Sequence, residues 1–282
     1  MSGAIMRTAA RGRSPRPMFS LFGTRLPIDR DELDFQLATF KWLIGEFGPV
    51  TQPLVLPTPD FFSQDALAGR AGARAIFDEV RALAGMADWP CELRSGDSNR
   101  PTDAGNAHLL RHEDGPPPCG TFQVGEGPAG RHGIISYNPS MEWDAAGLVA
   151  TFAHELGHYL MATASGTPPG GWDLHELHTD LTAVYLGFGV FMANNARSFD
   201  SFSTSGGSGW QAQWRGYLSE NALVTATACF ERLSGRDALA ASPHLKDYLR
   251  GVLKRADKAL AKLAPDMSAA VAAMDLAAYA DE

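Results

Sequence analysis

A chain of 282 residues, 45% of them hydrophobic and 20% charged, carries enough apolar side chain for a sizeable core, which excludes a wholly disordered protein. A net charge of −8 argues against nucleic acid or an anionic membrane surface as the main partner, and no apolar run reaches the ~20 residues that span a bilayer. Cys91, Cys119 and Cys229 are odd in number and form neither a disulfide framework nor a CxxC knuckle, so they read as small buried hydrophobes in a reducing, cytoplasmic setting.

The first 28 residues contain Arg7, Arg11, Arg13, Arg16 and Arg25 with no acid before Asp29. They lack the apolar h-region of a secretory signal and read as a basic, disordered tail, in which Met18 marks an alternative start. A single domain is expected over 29–282: helices and a small sheet over 29–140, two central helices over 141–196, and a helical part over 210–282. Leu33, Leu37, Phe40, Ile44 and Phe47 have helical spacing, Asp29 or Asp31 is the cap, and Gly48-Pro49 is the stop. Three prolines make 51–62 an extended connection, and Ile76, Val80 and Leu83 predict a helix over 71–86. The stretch 95–120 reads as a long surface loop. Short strands follow at Thr121–Val124 and His132–Tyr137, then a turn at Asn138-Pro-Ser and a helix from Met141 to Met161. After the tight connection Gly166–Gly171, one long apolar helix is expected from Asp173 to Asn195. The Ser/Gly segment 201–209 is flexible, and helices are predicted at Tyr217–Leu233, Pro243–Leu263 and Met267–Tyr279.

The run His154-Glu155-Leu156-Gly157-His158 carries the chemistry. Residues four apart on a helix lie about 40° apart in projection, so both imidazoles can reach one cation. Glu155, one step round, is placed to take a proton from an attacking water as general base. The flanks Leu148–Ala153 and Tyr159–Met161 are uncharged, so this helix enters the core, where two histidines and a glutamate are costly without partners. The bland alternative is a surface helix with a chance match. A catalytic zinc has three protein ligands and one open position. Downstream, Glu176 and Asp180 share a face of the next helix, and two carboxylates there call for a metal, a histidine or an arginine. Ala183 and Gly187 continue the stripe with residues small enough for another helix to approach.

HExxH followed by Glu-x-x-x-Asp on the next helix resembles the gluzincin branch of the zincin metallopeptidases, which includes the thermolysin-like enzymes. Over roughly 134–195 the chain is also similar to uncharacterised bacterial proteins with this motif pair and an apolar Leu-Gly-Phe-Gly-Val-Phe helix. The resemblance implies Zn2+ bound by His154, His158 and Glu176, with Asp180 orienting His154 through a hydrogen bond. Asp180 as the third ligand is the alternative. The resemblance also implies a zincin-like α+β fold, mainly α, with a small sheet packed on the HExxH helix and further helices C-terminal to it. The implied activity is hydrolysis of a peptide or protein substrate, which docks as an added strand along the sheet edge at His132–Tyr137. The chain lacks the substrate-binding motifs of thermolysin-like enzymes and the HExxHxxGxxH extension of metzincins.

Tyr159, His175 and His178 are candidates for lining the cleft or steadying an oxyanion. Helical geometry turns His178 about 200° from Glu176, which makes a surface histidine its simpler reading, and puts His175 about 100° away, at the cleft. His108, His112, His132 and His244 have no supporting spacing. The loops 166–171 and 201–209 are candidate gates. The rival to a hydrolase is a zincin-fold regulatory or binding protein with restricted or vestigial catalysis; a helical scaffold with a chance motif is a third reading.

Overall fold

The computed structural model describes residues 25–96, 119–128, 130–200 and 217–279. The basic stretch 1–24, most of the expected loop 95–120, the segment 201–209, His108 and His112 lie outside the described residues.

Asp29, not Asp31, caps α1 (Arg30–Phe47) by accepting the Glu32 N–H, and Gly48 at φ 98° ends it. Leu33, Leu37 and Phe40 are buried as their spacing predicts, but so are Phe35, Trp42 and Leu43, because α1 is covered on more than one side. Past the proline-rich connection come a single turn, α2 (Gln64–Leu67), and α3 (Ala73–Leu83), whose Ile76, Phe77 and Val80 face the core.

Among the described residues the sheet has three strands, β1 (Cys91–Ser95), β2 (Gly120–Gly127) and β3 (Gly130–Tyr137), in the order β1-β3-β2. β1 runs parallel to β3 and β2 antiparallel to it. β1 was not foreseen: Glu92 and Arg94, ion-paired across 2.8 Å on its exposed face, hide the strand pattern. Its presence makes β3 the central strand, so the expected docking edge at His132–Tyr137 is already paired on both sides. Among the described residues the free edge nearest the central helix belongs to β2 instead.

The helix expected from Met141 begins later. A 3-10 turn covers Pro139–Trp143, and Asp144 then caps α4 (Ala145–Met161) by accepting the Gly147 N–H. α4 is buried on nearly every side. Phe152 packs between Phe77 of α3 and Tyr137 of β3, with ring centroids 5.1 and 5.8 Å away. The expected helix 173–195 is two helices, α5 (His175–Tyr185) and α6 (Gly189–Asp200), after a 3-10 turn at Trp172–Leu174. The break has a clear cause. Gly187 has φ 99°, its carbonyl accepts the Val55 N–H, and a Cβ there would lie 2.5 Å from the Pro53 carbonyl oxygen. Close approach of α4 to α5 depends instead on Gly157, inside the motif, where a Cβ would sit 3.0 Å from the Thr179 carbonyl oxygen.

Ser219 caps α7 (Glu220–Leu233). The helix expected from Pro243 is a 3-10 stretch, Ala238–His244, followed by α8 (Asp247–Leu263). The last expected helix is split into α9 (Met267–Ala272) and a 3-10 turn at Leu276–Tyr279. α5 packs against α4, α6, α7 and α1. The connection 166–171, a candidate gate, is tied down. Glu46 accepts from the Ser165 N–H and hydroxyl, His178 meets the Pro169 carbonyl, and Gly170 donates to the Tyr279 carbonyl. The fold is thus α+β and mainly helical, with one small mixed sheet. No helix among the described residues is long and apolar enough to cross a membrane. All three cysteines are free thiols; Cys119 and Cys229 are buried and Cys91 is half-buried.

Candidate metal centre

α4 and α5 bring His154, His158 and Glu176 together, with one donor atom from each lying within 4.8 Å of the others. Glu176 Oε2 is 3.1 Å from His154 Nε2 and 3.6 Å from His158 Nε2. The far side of each imidazole explains why these nitrogens face inward. His154 Nδ1 lies 3.0 Å from Asp180 Oδ1, and Asp180 Oδ2 accepts the Leu218 N–H at 2.7 Å. A carboxylate can only accept here, so His154 Nδ1 carries the proton. His158 Nδ1 lies 3.0 Å from the Thr179 hydroxyl oxygen, whose own proton goes to the His175 carbonyl at 2.7 Å. Thr179 therefore accepts from His158 Nδ1–H. Both Nε2 atoms are left to face the same place, the orientation a metal requires of two histidine ligands.

Charge in this cluster favours a cation. His154 is 2% exposed and Asp180 1%. Burial works against a charged His154 ring, but Asp180 and Glu176 outweigh it and raise its pKa well above the ordinary imidazole value. Burial likewise disfavours the Glu176 carboxylate, yet His158, His154 and His175 hold its pKa well below the usual range. Glu155, 4% exposed, has its pKa raised by burial first, with Glu176 adding to it and the two histidines opposing. Its Oε2 is buried without a hydrogen-bond partner. An orphaned carboxylate oxygen beside two converging imidazoles fits a bound cation and its water. The two-nitrogen, one-oxygen donor set fits Zn2+. β2 leaves room for this carboxylate only because residue 120 is glycine: a Cβ there would stand 2.7 Å from Glu155 Oε1.

Asp180 sits behind His154, on the Nδ1 side, while Glu176 sits in front. The other candidates separate clearly. His175 is at the cluster, with Nε2 3.1 Å from Glu176 Oε1. Tyr159 is not brought there. Its hydroxyl donates to the Pro90 carbonyl at 2.9 Å, and its ring stacks on Phe122 beneath the sheet. His178 does point away from Glu176, but it is a buried residue and not a surface one. α1 covers that face of α5, so Phe35 and Trp42 pack on the ring, and its nitrogens meet Thr39 and the Pro169 carbonyl. Burial pushes its pKa down to about 3, so it stays a neutral structural group. His132 faces Glu92 on the sheet at 3.9 Å, and His244 lies in the 3-10 stretch before α8, so neither enters the cluster.

Two neighbours escaped the sequence reading. Thr179 follows His178 directly and was visible as a hydroxyl three residues after Glu176. Tyr217 carried no spacing signal, being more than thirty residues from Asp180 in sequence. Its ring lies edge-on to His154 at 5.3 Å, held there because the next residue, Leu218, donates to Asp180. Burial, then Glu176, Glu155 and Asp180, raise the Tyr217 pKa, so the phenol keeps its proton and remains a donor. Cys119 is close to Glu155; burial first, then Glu155 and Asp144, push its thiol up to about 11, leaving it unreactive. In comparisons with family models, curated proteins and solved structures, nothing matches this chain.

Proposed function

We propose that the chain is a zinc-dependent hydrolase of the zincin type, a metallopeptidase with His154, His158 and Glu176 holding the ion. The observation that carries this reading is the convergence of two Nε2 atoms, on rings held from behind at Nδ1, and one carboxylate oxygen beside the unpartnered Oε2 of Glu155. A small sheet lying on the HExxH helix, with an acidic donor from the next helix, supports a zincin-like arrangement. Zinc, when bound, supplies Lewis acidity: it polarises a substrate carbonyl and makes water a stronger acid near neutral pH. Glu155 takes the proton of the attacking water as the O–C bond forms, then delivers it to the amine nitrogen as the C–N bond breaks. Burial raises the basicity that this task requires. Tyr217, whose ring lies beside His154, is the neighbour best placed to supply a proton donor to the oxygen on which negative charge develops. An extended peptide lies along the edge of β2 that is unpaired among the described residues, beside Gly120 and Glu155.

Metal analysis of the purified chain is expected to find stoichiometric zinc. Chelation should abolish cleavage in a peptide library or lysate, and added Zn2+ should restore it. A chain without stoichiometric zinc would be a helical scaffold with a chance motif. Zinc without any cleavage would make it a binding or regulatory protein. Y217F is expected to lower kcat by roughly 10²–10³ while bound zinc stays unchanged, in line with loss of one oxyanion donor; steady-state kinetics beside metal analysis checks both.

A further inference from the structure

We infer that His175 is a positioning residue that commits Glu176 to presenting a single oxygen to the cation, an inference that rests on the metal reading above. The two carboxylate oxygens of Glu176 are engaged differently. Oε2 faces the imidazole pair, 3.1 Å from His154 Nε2 and 3.6 Å from His158 Nε2, whereas Oε1 is turned to His175 Nε2 at 3.1 Å. Adjacent residues on a helix project about 100° apart, so a ring reaching its neighbour's carboxylate is not the default. Here the 3-10 turn Trp172–Leu174 holds the ring back, its Nδ1 lying 3.1 Å from the Trp172 carbonyl oxygen. The His175 ring also stands at the cluster, 5.9 Å from that of His158, yet its Nε2 is spent on Glu176.

The consequence concerns how many positions Glu176 fills. A carboxylate with both oxygens available can bind a cation through one or through both, and hydrolysis needs one position left open. A donor held against Oε1 removes the second oxygen from contention. His175 and Glu176 side chains are 22% and 28% exposed, and an ion pair this accessible adds little to stability. Its removal therefore leaves the fold standing and exposes the effect on the metal.

The test replaces zinc by Co2+ and reads the visible spectrum, together with zinc affinity by competition, in the wild type, H175L and H175Q. Leu removes the donor, whereas the Gln amide nitrogen reproduces the reach of Nε2. H175Q should match the wild type. H175L should show the weaker, shifted cobalt bands that accompany an added oxygen ligand, and a change of about 10–100-fold in zinc affinity, as for other groups that orient metal ligands. An H175L spectrum and affinity identical to a metal-binding wild type would overturn this inference and leave the metal centre intact. A wild type that takes up neither ion would overturn both. Should H175L fail to fold, H175N, whose amide stops short of Oε1, replaces it with the same expectations.

Discussion

E155Q is expected to keep its zinc and lose cleavage, with kcat falling by about 10²–10⁴ or more, the range that general base catalysis contributes. Glu155 is not among the three groups whose donor atoms converge, so the substitution spares the ion. The Gln side chain has nearly the same shape, and the space that Gly120 leaves around Oε1 accommodates it without a shift of β2. What disappears is, among the described residues, the acceptor in the cluster left able to take a proton from water and carry it to the leaving nitrogen. Asp180 is committed to His154 and Leu218, and Glu176 to three histidines. Folding should not suffer. Burial already raises the Glu155 pKa, so a neutral amide is no harder to bury than the carboxylate it replaces. Zinc content, a thermal melt and cleavage of any peptide found by screening are the measurements. Full activity in E155Q would remove the proposed mechanism.

The centre was legible in the sequence to the extent that helical geometry sets it. His154, Glu155 and His158 are placed by a four-residue repeat, and an uncharged flank is enough to say that their helix is buried. The pairing of Asp180 with His154 was implied by resemblance, and the 3.0 Å contact has that form. Contacts made by distant segments left no trace. Tyr217 reaches His154 only because Leu218 is tied to Asp180, a link between helices that no local pattern encodes. His178 looked like a surface residue because periodicity reports which residues share a face, not what covers the opposite one, and here α1 covers it.

The boundaries that moved did so for similar reasons. Leu-Gly-Phe-Gly-Val-Phe is apolar throughout, so its composition continues a helix that the backbone cannot continue. Gly187 is needed where the 51–62 connection crosses, and that crossing is a tertiary event. β1 escaped because its exposed residues are charged, and missing it put the sheet edge on the wrong strand. On the proposed docking along β2, a peptide would instead pass Gly120, the residue that borders the Glu155 carboxylate.

The second large effect separates the two acids of α5. E176A is expected to lose most of its zinc, while D180A should retain the ion with affinity reduced by about 10–100-fold. The distinction is one of sides. Glu176 Oε2 meets His154 at Nε2, and Asp180 Oδ1 meets the same ring at Nδ1, so the two acids cannot serve one ion through one imidazole. Removing Glu176 takes a donor atom from the cluster itself. Removing Asp180 frees the ring to rotate or to change tautomer, and leaves the Leu218 N–H buried without an acceptor, at a cost of about 1–3 kcal/mol. D180N sharpens the contrast. Asn offers one acceptor oxygen where Asp180 uses two, so either His154 Nδ1–H or Leu218 N–H must go unsatisfied. In the metal-free proteins a lower melting temperature should therefore accompany D180N and D180A, and not E176A, whose side chain is 28% exposed and ties down no buried backbone N–H. Competition titrations with a chromophoric chelator, set beside thermal melts of the three variants, measure both quantities. Zinc lost from D180A but kept by E176A would make Asp180 the ligand and reverse the assignment of the two acids.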